Sequence, residues 1–242
     1  MQIDSSEVKQ EDEPYRPPTM KLPRQARAVI FDMDGLMFNT ETLYRDAVVA
    51  AAAEAGHDLP LPFYLSTIGM SIEATRMAFS ERYGKQFDFD GFWTAASTLY
   101  SEIVKLQLCL KTGVVELLDF LDGTSLSRAI ATSSRHEDVQ RNLGAQGLRD
   151  RFQTVIARGD YARGKPHPEP FLKAAERLGV EPELCVALED SYNGVRAASG
   201  AGMMTIMVPD LLPPTREMEE LCVYIAQDLH EVHSLIRSQP VP

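Results

Sequence analysis

The stretch "AVIFDMDGLMFNTETLYRDAV", Ala28 to Val48, decides how the rest of the chain is read. Its first residues are apolar and include the β-branched Val29 and Ile30, and a turn signal follows at Gly35. Such a run reads as a strand buried on both faces of a parallel sheet. The strand then ends in Asp32 and Asp34, and side chains two residues apart along a strand share a face. Two close carboxylates repel, and one of them is driven to its protonated form unless a cation lies between them.

Working outward, "ETLYRDAVVAAAAEAG" reads as a helix stopped at Gly56. "SIEATRMAFSERYG" and "FWTAASTLYSEIVKLQLCL" read as two more, and no strand is expected between Glu41 and Leu110. Beyond Gly113 the pattern alternates. Strands are expected in "SRAIATSS", "FQTVIA", "LCVALED", "MMTIMV" and "YIA", with helices between them and a last helix in "DLHEVHSLIRS". Alternation with short connections gives an α/β fold with a doubly wound parallel sheet, interrupted after its first strand by a helical insertion. The expected division is a polar, Pro-containing tail over 1–26, a core formed by 27–41 and 112–242, and a helical domain over 42–111.

The 24 Lys and Arg against 35 Asp and Glu give a formal charge of −11, which disfavours a nucleic-acid surface. Three cysteines, Cys109, Cys185 and Cys222, form neither a Cys-x-x-Cys pair nor an even set, so reduced buried thiols are expected. No apolar leader and no membrane-length apolar run is visible, and a soluble cytoplasmic chain is expected. The five histidines show no metal-ligand spacing.

Ligands of open parallel sheets bind beyond the carboxyl ends of the strands. The residues that follow successive strands here are Asp32 and Asp34, then Thr132, Ser133 and Ser134, then Lys165 in "GKPHPEP", then Glu189 and Asp190. Four carboxylates, one lysine and a run of hydroxyls therefore converge on one edge. An oxygen-rich site of this kind suits Mg²⁺, and the lysine and hydroxyls complement a phosphate.

In this order the four elements resemble the motifs of the haloacid dehalogenase superfamily, in its phosphatase and phosphomutase branch: "FDMDGL", "AIATSS", "GKPHPEPF" and "ALEDSYNGVRAASGAGM". The resemblance implies a Rossmann-like core with an inserted α-helical cap. It also implies Asp32 as a nucleophile that takes the phosphoryl group, and Asp34 as general acid and then general base. Mg²⁺ would be held by Asp32, Asp190 and the backbone carbonyl of Asp34, with Glu189 beside them, and Thr132, Ser133 and Lys165 would bind the phosphoryl oxygens. An acid at Asp34 points to phosphate esters rather than carbon–halogen bonds.

Within that branch the chain resembles both β-phosphoglucomutase and the small sugar phosphatases. The hinge segment Asn39-Thr40-Glu41 has Asn where these relatives carry Asp. The mutase cap loop ends in an Arg that grips a distal phosphate; here Ile72 stands at that place, and Arg76 lies one helical turn later. The expected activity is therefore Mg²⁺-dependent hydrolysis of a small phosphorylated metabolite by a monomer, with a mutase as the alternative. A non-catalytic binding protein on the same fold is the third reading, against which the intact set of motifs speaks. The aromatic residues Phe92, Trp93 and Tyr100 are read as cap packing before substrate contact.

Overall fold

A computed structural model describes residues 21–238. Among these, β1 (Ala28–Phe31), β2 (Ser127–Arg135), β3 (Thr154–Arg158), β4 (Cys185–Glu189), β5 (Met204–Met207) and β6 (Tyr224–Ile225) form one parallel sheet in the order β3-β2-β1-β4-β5-β6. The chain steps outward from β1 to β3 and then crosses to the other side of β1 for β4. The carboxyl end of β1 is thus the point where strand order reverses, the place where such sheets open a crevice.

The alternation of side chains along β1 builds both layers of the core. Val29 and Phe31 face a cluster with α5 (Val114–Asp122) and α10 (Leu229–Arg237), contributed by Leu117, Leu118, Val232 and Leu235. Ala28 and Ile30 face α7 (Glu169–Leu178) and α8 (Tyr192–Gly200) through Phe171, Ala174 and Ala197. Alanines at Ala129, Ala131 and Ala187 on this second face let the helices approach closely. The expected fold class is what the chain adopts.

Four helices lie between β1 and α5: α1 (Thr40–Glu54), α2 (Leu61–Thr67), α3 (Ile72–Tyr83) and α4 (Phe89–Gln107). They share a separate core of Val48, Ala51, Tyr64, Phe79, Phe89 and Phe92. α2 was not anticipated: at seven residues, opened by Pro60 and carrying Pro62, it is too short to display a helical period. The same holds for the six-residue α9 (Arg216–Leu221), which Thr215 caps; α6 (His136–Ala145) completes the set.

The two chains that join this bundle to the sheet run side by side. Phe38 and Leu110 form an antiparallel bridge, and the N–H of Lys111 donates to the carbonyl of Met37 at 2.9 Å. Asn39 ties the pair together: its side-chain oxygen accepts from the N–H of Cys109 (2.9 Å), and its amide nitrogen donates to the carbonyl of Gln107 (3.2 Å). An aspartate could make only the first of these bonds.

Of the expected tail, residues 1–20 lie outside the described residues. Leu22 and Ala26 are buried in the main core cluster, so order begins ahead of Arg27: two apolar side chains find cover despite their polar and proline neighbours. Cys109 is exposed on the connection after α4, contrary to the expectation for all three thiols, whereas Cys185 is buried in β4. No helix of the described residues is long and apolar enough to cross a membrane.

Candidate active site

Asp32 continues the parity of Ala28 and Ile30, so its carboxylate falls on the side of the sheet covered by α7 and α8. Its backbone N–H still pairs with Leu188 of β4 at 2.9 Å, so the residue is held as an extension of the strand. The ammonium of Lys165 donates to Asp32 and to Glu189 and bridges the ends of β1 and β4. All three side chains are nearly or completely shielded from solvent.

The loop that delivers Lys165 is fastened at several points. Glu169, in the first turn of α7, accepts from the N–H groups of Ala162 (2.9 Å) and Arg163 (3.2 Å). The Tyr161 hydroxyl donates to the carbonyl of Thr132 at 3.1 Å, and the Lys165 ammonium rests over the Phe171 ring. His167 accepts from the N–H of Glu169, a structural task inside the loop. The Lys165–Pro166 peptide is cis.

Glu189 turns its second oxygen toward the start of α8. It accepts from the N–H of Asp190 (3.1 Å), the N–H of Ser191 (3.2 Å) and the Ser191 hydroxyl (3.0 Å). Helix N-termini favour negative charge. The arrangement requires Gly194, because a Cβ there would lie 1.8 Å from the Glu189 carboxyl carbon. Gly35 has a parallel role. Its φ of +83° suits only glycine, and a Cβ would lie 2.2 Å from an oxygen of Asp190. The glycine of "DMDG" thus lets the Asp190 carboxylate reach β1.

Asp34 is held by hydroxyls. It accepts from Ser134 (2.5 Å) and Thr132 (3.4 Å), and Thr40 supplies a third hydrogen bond from the first turn of α1. Thr40 also accepts from the N–H of Gly35 at 3.2 Å. Thr132 and Ser133, both expected as phosphate ligands, line the cavity above, and Thr132 also donates to Asp34. Ser134, expected in the run of hydroxyls at this edge, turns to Asp34. β2 has a register irregularity between Ala131 and Arg135, where this run of hydroxyls lies.

A cavity of about 320 Å³ opens above these groups, lined by Asp32, Asp34, Lys165 and Asp190 below, with Glu41, Ile68 and Gly69 at the cap side. Burial pushes the Asp32 carboxyl well up; the Lys165 charge opposes this, and Glu189 and Asp34 reinforce it. Burial raises Asp190 as well, helped by Asp32 and Glu189. Asp34 is raised by burial against the pull of its hydroxyl donors. Burial works to lower Lys165, but Asp32 and Glu189 outweigh it and hold the ammonium above its ordinary value. Glu41, buried and facing Asp34 and Asp210, is pushed up to about 7.

Oxygens of Asp32, Glu189 and Asp190 approach within 4.8 Å of one another. Among the described residues no hydrogen bond reaches the Asp190 carboxylate, and one lysine faces this whole group of acids. An all-oxygen, acid-rich, underneutralised set fits a hard divalent cation. The Asp34 carboxylate, bound by three hydroxyls, stands outside the cluster. Arg76 is not brought to the site. Its guanidinium makes two hydrogen bonds to Asp90 (2.6 and 3.0 Å) and stacks on Phe89, and it lines neither this cavity nor the adjoining one.

A parallel sheet with its strand reversal at β1, acids from β1 and β4, a lysine from the β3–α7 loop and a helical insertion after β1 define a class of hydrolase. The family model for haloacid dehalogenase-like hydrolases matches residues 29–208, and the chain belongs to that family. It is 33% identical over 202 residues to hexitol phosphatase B of Escherichia coli (strain K12), covering 78% of this chain and 86% of that one. It is 30% identical over 179 residues to the phosphorylated carbohydrates phosphatase of Thermotoga maritima, covering 74% and 83%. The crystal structure of CbbY from Rhodobacter sphaeroides in complex with phosphate superposes with a TM-score of 0.68 at 26% identity, covering 86% of this chain and 96% of that one. The chain is thus an enzyme of the family, with phosphatases among its relatives.

Proposed function

We propose that the protein is a Mg²⁺-dependent phosphatase that hydrolyses a small phosphorylated metabolite, a sugar phosphate or related monoester, through an aspartyl phosphate on Asp32. The observation that carries this reading is the buried Lys165 ammonium bonded to Asp32 at the strand-reversal point, beside Asp190. Asp32 and Asp190, with the Asp34 main-chain carbonyl, would hold Mg²⁺, which when bound offsets the negative charge of the phosphoryl oxygens.

An Asp32 oxygen attacks phosphorus, and the ester oxygen departs with its electron pair. Lys165 offsets the repulsion between carboxylate and phosphate at the floor of the cavity. Asp34 gives its proton to the departing alkoxide. It then takes a proton from the water that attacks the acyl phosphate, releasing inorganic phosphate and restoring Asp32. The Thr40, Thr132 and Ser134 hydroxyls would orient Asp34 for both transfers, and Thr132 and Ser133, which line the cavity, would bind phosphoryl oxygens. The engagement of Arg76 with Asp90 leaves the cap without the distal-phosphate grip that a mutase needs, so hydrolysis is favoured.

The test is phosphate release from p-nitrophenyl phosphate and a panel of sugar and polyol monophosphates, with Mg²⁺ and with excess chelator. Mg²⁺-dependent release that is abolished in Asp32→Asn is expected. Conversion of a hexose 1-phosphate to the 6-phosphate without free phosphate would replace hydrolysis by transfer, and no turnover of any ester would overturn the reading.

A further inference from the structure

The space above Asp32 does not end at the phosphate site. A second cavity of about 230 Å³ lies within the cap and shares Glu41, Ile68 and Gly69 with the first. These three residues form a throat between the two. Beyond it the walls are aromatic: Tyr44 of α1, Tyr64 of α2, Phe79 of α3 and Trp93 of α4. Tyr64 is only 5% exposed and lines this cavity.

Among the described residues, neither the throat nor the upper cavity is lined by a lysine or arginine, and the throat carries the Glu41 carboxyl. In the lower cavity the cation other than Lys165 is Arg196, whose guanidinium already makes two hydrogen bonds to Glu217 (2.6 and 2.7 Å). A second phosphate or a carboxylate at the far end of a substrate would pass an acid and enter an aromatic chamber with no countercharge. Burying an unpaired charge is heavily penalised. An uncharged hydroxylated alcohol meets the opposite situation. Its hydroxyls can donate to Glu41 or accept from Tyr64, and its apolar face can pack on Tyr44 and Trp93.

We infer that the substrate is a singly phosphorylated ester of an uncharged, hydroxylated alcohol whose distal part seats in the aromatic chamber formed by Tyr44, Tyr64 and Trp93, with Glu41 selecting against a second anionic group. This rests on the phosphatase reading and goes beyond it by fixing the charge class of the leaving group.

Trp93 is the sole tryptophan of the chain, so intrinsic fluorescence reports on the chamber directly. In the Asp32→Asn protein, a singly phosphorylated ligand such as fructose 6-phosphate should change Trp93 emission saturably, whereas inorganic phosphate and fructose 1,6-bisphosphate should not at equal concentration. In the unaltered protein with Mg²⁺, kcat/KM for fructose 6-phosphate should exceed that for the bisphosphate at least tenfold, and Glu41→Lys should shrink that ratio. Equal or better use of the bisphosphate, with p-nitrophenyl phosphate still hydrolysed, overturns this inference and leaves the phosphatase reading standing. Absence of turnover of every ester overturns both.

Discussion

Replacing Gly35 by alanine asks one methyl group to enter space that Asp190 holds. Two costs can be worked from the geometry. A residue with φ of +83° is left-handed, and an L side chain there costs roughly 1–2 kcal/mol. The new Cβ would also stand 2.2 Å from an Asp190 oxygen, where ordinary contact begins at 3.4 Å, so the carboxylate must retreat by about 1.2 Å. A displacement of about 1 Å in a reacting constellation can cost on the order of a hundredfold in rate. The Gly35→Ala protein should therefore remain folded with its midpoint lowered, lose about two orders of magnitude in p-nitrophenyl phosphate hydrolysis, and need more Mg²⁺ for half-maximal rate. Thermal melts and Mg²⁺ titrations of the initial rate measure these effects. Unaltered turnover with unaltered Mg²⁺ dependence would refute the argument that Gly35 exists to admit Asp190.

Lys165→Met removes the cation shared by Asp32 and Glu189. Breaking a buried ion pair by deleting one partner costs roughly 3–5 kcal/mol. The variant should be inactive and melt well below the parent in chelator, and Mg²⁺ should recover part of the loss in calorimetry. Glu169 is held below its ordinary value of 4.5, first by the N–H of Ala162. A carboxyl depressed in the folded state stabilises above its unfolded value, and that contribution is lost as pH falls through the folded value. The stability difference between parent and Glu169→Gln should be constant above about pH 4.5 and shrink below it, as read by denaturant titrations across pH. A difference that grew on acidification would contradict the sign.

The doubly wound core was legible because buried parallel strands are continuous apolar runs and each ends in a chemically marked residue. The convergence of Asp32, Lys165, Glu189 and Asp190 followed from the rule that such strands point their carboxyl ends to one edge. Side-chain partnerships across the fold were not legible. That Thr132 serves Asp34, with Ser134 as its companion, depends on how β2 bends at its end. Arg76 lies one helical turn from the family position, but nothing in that spacing reveals that Asp90 would hold it instead. Trp93 reads as cap core, and it does pack on Phe89, yet its ring also walls a cavity that only the assembled helices enclose. The hinge motif by itself carries no sign of a role for Glu41, because its place at the throat depends on α1 starting at Thr40 beside the site.

The central claim is that Asp32 carries the phosphoryl group. An aspartyl phosphate formed with a fast substrate and quenched with borohydride is reduced at the acylated carbon, which converts that aspartate to homoserine. Mass spectrometry of the peptide spanning Asp32 should find homoserine at this position, with Asp34 and Asp190 unmodified, and only when substrate and Mg²⁺ were both present. Substrate turned over with Asp32 left intact and the label at another residue, or at none, would contradict the account.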